Sequence, residues 1–165
     1  MIKLEHVPEG LHDIMKYYGS PGSLDDKGRA HIDRKWYKEN IAYFELPFTL
    51  QQSWDQRIIK GFIAHNKVGL SMVDALEEIK EYGGLGFLKR YNLDQWGGVF
   101  NPRWKKGTTE PSTHMFGIAI DYCPELGPYG EESRMPCFIV EAFERRGFIN
   151  LWMHDGMHNQ AAKGY

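Results

Sequence analysis

Ser112-Thr113-His114-Met115-Phe116-Gly117-Ile118-Ala119-Ile120-Asp121 is the stretch around which the chain is organised. Phe116 to Tyr122 reads as a strand, compact and built from small and β-branched residues. His114 and Asp121 are seven residues apart, so a regular strand would send them to opposite faces. Gly117 lies between them and is where the chain is expected to bend. Downstream, Trp152-Met153-His154-Asp155-Gly156-Met157-His158 carries more groups of the same kind. Taken singly, each histidine reads as a packed or solvated side chain. Taken together, two imidazoles and one carboxylate are a sufficient zinc ligand set with a fourth position left for water. A further carboxylate, three residues before His158, can take the proton from that water. Asp155 and His158 would also oppose on a regular strand, and Gly156 is the expected place for a turn. A rival reading makes His154 and His158 the two ligands of a helical His-Glu-x-x-His variant. It requires a glycine at the middle of that helix, at about 1 kcal/mol relative to alanine.

Working outward, three helices are expected. The first starts after Pro8, carries Leu11, Ile14, Met15 and Tyr18 on one side, and ends at Gly19. The second runs from about Gly69 to Tyr82, with a stripe of Leu70, Val73, Leu76, Ile79 and Tyr82, closed by Gly83-Gly84. The third runs from about Arg134 to Arg146 with Gly147 beyond it, its last turn basic. A short helix over Ile32 to Asn40 puts Ile32 and Trp36 on one side. Tyr43 to Pro47 reads as an extended piece stopped by proline, and Ile58 to Ala64 as a strand interrupted by Gly61. Trp96 to Arg103 reads as a strand, and Phe148 to His158 as a closing segment. This order predicts a single α+β domain over residues 1–165, a small antiparallel β-sheet flanked by helices.

Composition narrows the function classes. The chain has 165 residues, enough to bury about 70% of the surface its unfolded form exposes. With 25% charged residues and 42% hydrophobic it is neither disordered nor fibrous. A net charge of −2 offers no basic excess for nucleic acid, and Arg103-Trp104-Lys105-Lys106-Gly107 is a small basic patch. No run of eighteen apolar residues occurs, so membrane insertion is not expected. The start, Met1 to Pro8, lacks a signal-peptide pattern, and synthesis in a cytoplasm with delivery or release to the target is the expectation. Two cysteines, Cys123 and Cys137, are expected as free thiols, Cys137 buried in an apolar helix face. His6, His12, His31 and His65 are assigned surface or packing duty. A monomer is expected.

Ser-x-His-x-x-Gly-x-Ala-x-Asp followed by Asp-x-x-His resembles the zinc D-alanyl-D-alanine carboxypeptidase family, which includes the L-alanyl-D-glutamate peptidases of phage lysins. Ser112, His114, Gly117, Ala119 and Asp121 match its fixed positions, Gly98 to Arg103 is similar to its strand ending in arginine, and Ala142 to Phe148 to its helix followed by Gly-Phe. Two stretches depart: Ile149-Asn150-Leu151-Trp152 stands where a Trp-Gly-Gly type is usual, and Asn159 where an aromatic follows the last ligand. The resemblance implies a D,D-peptidase-like (hedgehog-like) zinc peptidase fold and Zn2+ bound by His114, Asp121 and His158. It implies Asp155 as general base and then acid, and Arg103 holding a substrate carboxylate or polarising the scissile carbonyl. Ser112 would orient substrate or a ligand. The implied substrate is the peptidoglycan stem peptide, cut at L-Ala-D-Glu or at a D-Ala terminus by a phage-encoded lysin or particle-associated wall enzyme. The alternative is a non-catalytic peptidoglycan-binding or structural phage-particle module that keeps the metal site.

Overall fold

The structure, a computed structural model, describes residues 1–164. The helices are α1 (Gly10–Tyr18), α2 (Arg34–Asn40), α3 (Gly69–Arg90) and α4 (Cys137–Glu144). The strands are β1 (Gly22–Leu24), β2 (Ala30–Ile32), β3 (Ile41–Gln52), β4 (Ile58–His65), β5 (Gln95–Gly98), β6 (Ala119–Tyr122), β7 (Ile149–Leu151) and β8 (Asp155–Gln160). β1 and β2 form a separate hairpin. The other six make one sheet in the order β4-β3-β5-β6-β8-β7. The fold is α+β, as expected, but the main sheet is mixed. After β4 the chain crosses on α3 and comes back beside β3, and β5 runs parallel to it; the other pairs are antiparallel. Among the described residues no helix is long and apolar enough to cross a membrane.

β6 lies inside the main sheet between β5 and β8, and all four of its residues are buried. Alternation sends Ile120 and Tyr122 into the core, where Tyr122 meets Phe143 of α4 edge-on and its hydroxyl donates to the Leu93 carbonyl at 2.6 Å. Ala119 and Asp121 take the opposite face. Met72, Ala75, Leu76 and Ile79 of α3 fill the core together with Ile139, Ala142 and Phe143 of α4.

Several expectations are corrected. β3 does not stop at Pro47. The pairing with β4 shifts register between Glu45 and Leu50, and within that irregularity a missing N–H costs no ladder bond. Gly61 does not interrupt β4. A side chain there would collide with Tyr43 and the Phe44 carbonyl across the pair, so the glycine serves close packing. The stripe of α3 is rotated, leaving Leu70 and Tyr82 exposed. The expected break is at Gly84 (φ 75, ψ 170), after which the helix resumes to Arg90. Ile32 belongs to β2, and only Gln95–Gly98 of the segment ending at Arg103 is strand. The last helix starts at Cys137, whose thiol is exposed, while Cys123 is buried and burial pushes its thiol up to about 12.

Gly117 does bend the chain. Thr113–Phe116 is a 3₁₀ turn, and Gly117 closes it in the left-handed region (φ 68, ψ 28) before β6 begins. A Cβ there would sit 2.9 Å from the His65 backbone nitrogen, which donates to the Gly117 carbonyl at 2.9 Å. Gly117→Ala is therefore expected to destabilise the fold by about 1–3 kcal/mol, adding left-handed strain to a backbone clash. Denaturant unfolding of parent and variant checks this.

Candidate metal centre and cleft

The turn, β6 and β8 bring His114, Asp121 and His158 together. Asp121 and His158 are direct partners in the β6–β8 ladder, as are Ala119 and Gln160, so these four residues share one face. His114 arrives from the turn, whose second amide is fixed by Ser112: the His114 N–H donates to Ser112 Oγ at 3.3 Å. His114 Nε2 lies 3.1 Å from Asp121 Oδ1 and 3.1 Å from His158 Nδ1, and His158 Nδ1 lies 2.9 Å from Asp121 Oδ1. All three residues are buried.

The outer hydrogen bonds fix what these atoms present to one another. His114 Nδ1 is 2.7 Å from the Val99 carbonyl, which can only accept, so Nδ1 carries the proton. Gln160 Nε2 donates to the Ala162 carbonyl at 3.1 Å, which turns its Oε1 toward His158 Nε2 at 3.1 Å. His158 Nε2 is therefore the donor, with Thr113 Oγ1 also 3.2 Å away. In the neutral rings, His114 Nε2 and His158 Nδ1 are then lone pairs, and both face a carboxylate oxygen. Three electron pairs converge on one point. A proton on His158 relieves part of this, but it leaves the His114 lone pair 3.1 Å from the carboxylate oxygen. A metal ion takes all three. A tetrahedral ion with N and O bonds of about 2.0–2.1 Å spaces its ligand atoms about 3.3 Å apart. The observed spacing of 2.9–3.1 Å is close to that, so the residues fit a metal ion.

Ionisation follows the same geometry. Burial alone would raise Asp121, but His114 and His158 hold its carboxyl well below the usual range. Burial keeps His114 low. Burial is the largest influence on His158 and opposes its charge, yet the hydrogen bond it gives to Asp121 and the negative charges of Asp121 and Asp155 together outweigh burial, and the net direction is upward.

Asp155, Arg103 and Ser112 line a cleft of about 440 Å³ together with His158, Thr113, Gln160 and Tyr129. On a regular strand Asp155 would turn away from His158. β8 avoids this by a bulge: Asn150 lies opposite Asn159, while the next residue of β7, Leu151, lies opposite Asp155. The Asn150 side chain holds the bulge, its Nδ2 donating to the carbonyls of Gly156 (3.0 Å) and His158 (3.3 Å). The chain turns at 152–154, not at Gly156. Gly156 lies inside β8, where a Cβ would fall 2.1 Å from Ser133 Oγ. His154 is exposed in that turn and β8 is a strand, so the helical two-histidine reading is removed. Asp155 Oδ1 is buried without a hydrogen-bond partner. Burial, reinforced by Asp121, pushes its carboxyl up to about 6, against His158, Arg103 and Lys106.

Sequence reasoning missed Val99, Thr113, Asn150 and Gln160. Gln160 had a signal, since it lies two residues beyond His158 on the same face of a strand. Val99 contributes only a carbonyl, which no side chain advertises. Gln160→Leu keeps the volume and removes the acceptor that fixes the His158 tautomer. It is expected to weaken metal binding about 10–100-fold, measured by competition with a chelating dye. Comparison of the chain with protein-family models, with curated proteins and with solved structures found no match.

Proposed function

We propose that the chain is a zinc-dependent peptidase, with a D,D-peptidase-like fold, that hydrolyses the stem peptide of bacterial peptidoglycan. The observation that carries this reading is the pairing of two features at the cleft that His158 and Asp155 both line. Two tautomer-fixed imidazole lone pairs and a carboxylate oxygen converge on a metal-sized point, and the neighbouring Asp155 has a buried, unpartnered Oδ1 and a carboxyl raised to about 6. The spaced motif around His114 and Asp121 supports the substrate class. A zinc ion at the three ligands would supply Lewis acidity and a water acidified toward a pKa of about 7. Asp155, ionised, accepts the proton of the attacking water and returns it to the departing amine. Arg103 faces the cleft from its rim and would stabilise negative charge on the carbonyl oxygen or hold a substrate carboxylate. Ser112 caps the turn that aims His114, so its first duty is to a ligand, and its place in the cleft wall leaves it beside substrate. A non-catalytic binding module would have no use for an unpaired carboxyl held at the metal's side.

Mass spectrometry of defined muropeptides incubated with zinc-loaded protein tests the reading. Fragments from a single amide bond, produced only with metal, are expected. Intact muropeptides recovered from protein that carries full zinc would overturn it.

A further inference from the structure

Residues 103–112 form a narrow two-stranded finger along one wall of the cleft. Ser112 N donates to the Arg103 carbonyl at 2.9 Å and Lys105 N to the Glu110 carbonyl at 2.8 Å, with Trp104 bridged to Pro111 between them. Thr108 N closes the tip on the Lys105 carbonyl at 3.0 Å. The opposite wall includes Tyr129, from a loop tied to the 152–154 turn by the Gly130 N–H to the His154 carbonyl at 2.6 Å. Lys106 on the finger reaches across and places its ammonium 3.9 Å from the centre of the Tyr129 ring. Both residues line the same cleft as Asp155 and His158. Lys105, by contrast, has Glu110 within 3.9 Å. Lys106 has no carboxylate at ion-pair distance among the described residues. A cation held over a ring keeps its charge and at least one free N–H direction, while the ring limits its conformational freedom.

We propose that Lys106, steadied by Tyr129, is a recognition site for a second carboxylate on the ligand, distinct from any group that Arg103 engages. The ligand class is an acidic peptide with a free carboxylate on the residue flanking the scissile bond. This rests on the cleft being the substrate site of the proposed peptidase, and it deepens that reading by assigning Lys106 as a specificity-determining residue for a carboxylate beside the bond. A carboxylate suits the cleft better than a phosphate. Asp155 already contributes negative charge a short way along the wall, and a doubly charged group would be repelled more strongly by it.

The test is calorimetric binding of acetyl-L-Ala-D-Glu and of its two monoamides to the zinc-loaded Asp155→Asn chain, in which the ligand survives. The diacid is expected to bind about tenfold more tightly than one of the monoamides, the gain of a charge-assisted hydrogen bond. Lys106→Met in the same background should remove that difference, and Lys105→Met should keep it. Tyr129→Leu, which frees the ammonium without removing it, should reduce the difference part of the way. Thermal melts confirm that each variant is folded. Equal binding of diacid and both monoamides, or an undiminished difference in Lys106→Met, overturns the proposal. Failure of the peptidase reading is seen separately, as a parent chain that cuts no peptide while the diacid preference and its loss in Lys106→Met persist.

Discussion

Asp155→Asn is expected to lower peptide turnover by roughly 10²–10⁴ while the metal stays bound, because the change removes a proton acceptor and keeps the shape of the side chain. The expectation has two parts that together separate chemistry from structure. Asp155 Oδ1 has no hydrogen-bond partner to lose, so no fold-holding contact disappears with it. Its carboxyl is pushed up to about 6, chiefly by burial, which means that the folded chain holds this proton more tightly than the unfolded chain does. A raised carboxyl pKa contributes stability below the unfolded value near 4, and that contribution is lost as pH rises through about 6. At neutral pH the asparagine variant should therefore melt no lower than the parent, and the parent should be the less stable of the two. Activity runs in the opposite direction. The base must be ionised, so parent turnover should fall as pH drops below about 6, with a bound cation moving that limb toward lower pH. Rate–pH profiles and thermal melts of both chains check the two halves. A variant that loses activity by unfolding would show a lower melting temperature instead.

The largest stability effect is expected from Arg146→Met. The side chain is 3% exposed and joins α3, α4 and the N-terminal segment. Its Nε donates to Asp74 Oδ2 at 2.5 Å, and its Nη1 donates to Glu78 Oε2 and to the Ala142 carbonyl, both at 2.6 Å. Asp74 also accepts the Ile2 backbone N–H at 3.0 Å. Removing the arginine takes away the buried cation that Asp74 and Glu78 share and leaves them only the more exposed N-terminal ammonium and Arg145, a loss of about 3–5 kcal/mol. For a chain of this size that is a fall in melting temperature of roughly 6–20 °C. Neighbouring Arg145 pairs with Glu78 and Glu141 from a half-open position, and Arg145→Met should cost far less, about 1 kcal/mol or below. The acid response carries the same signature. Burial would raise Asp74 and Glu78, but the Ile2 amide and Arg146 hold Asp74 low, and Arg146 and Arg145 hold Glu78 low. Their contribution is complete above the ordinary carboxylate range near 4 and is lost as pH falls through the depressed folded values. Melts of parent and Arg146→Met between pH 3 and 7 should converge at the acid end.

The sequence showed more of the site than of the sheet that carries it. His114, Asp121, His158, Asp155, Arg103 and Ser112 were singled out from motif and spacing, and the fold brings the first three together and lines one cleft with the last four of these. The bend at Gly117 was legible because two residues seven apart cannot otherwise meet across a strand. Gly156 was misread by the same logic. The bulge of β8 is fixed from another strand, by Asn150, and the glycine answers to Ser133, so neither cause lies in the local pattern. The parallel pairing of β3 with β5, the passage of β3 beyond Pro47 and the inward turn of Arg146 also depend on partners distant in sequence. The tautomers of His114 and His158 rest on one backbone carbonyl and on one glutamine whose own amide is oriented by a second carbonyl. Chemistry-bearing side chains announce themselves by type and spacing. The groups that aim them do so by position, and position appears only when the chain is folded.

The convergence of three lone pairs on one point is most directly tested by counting metal. The parent chain, dialysed against trace zinc and analysed by inductively coupled plasma mass spectrometry, is expected to retain one zinc ion per chain. Its melting temperature should rise with zinc, and Asp121→Ala should retain none. A folded parent chain with no bound zinc, and a melting temperature unmoved by adding it, would contradict the account.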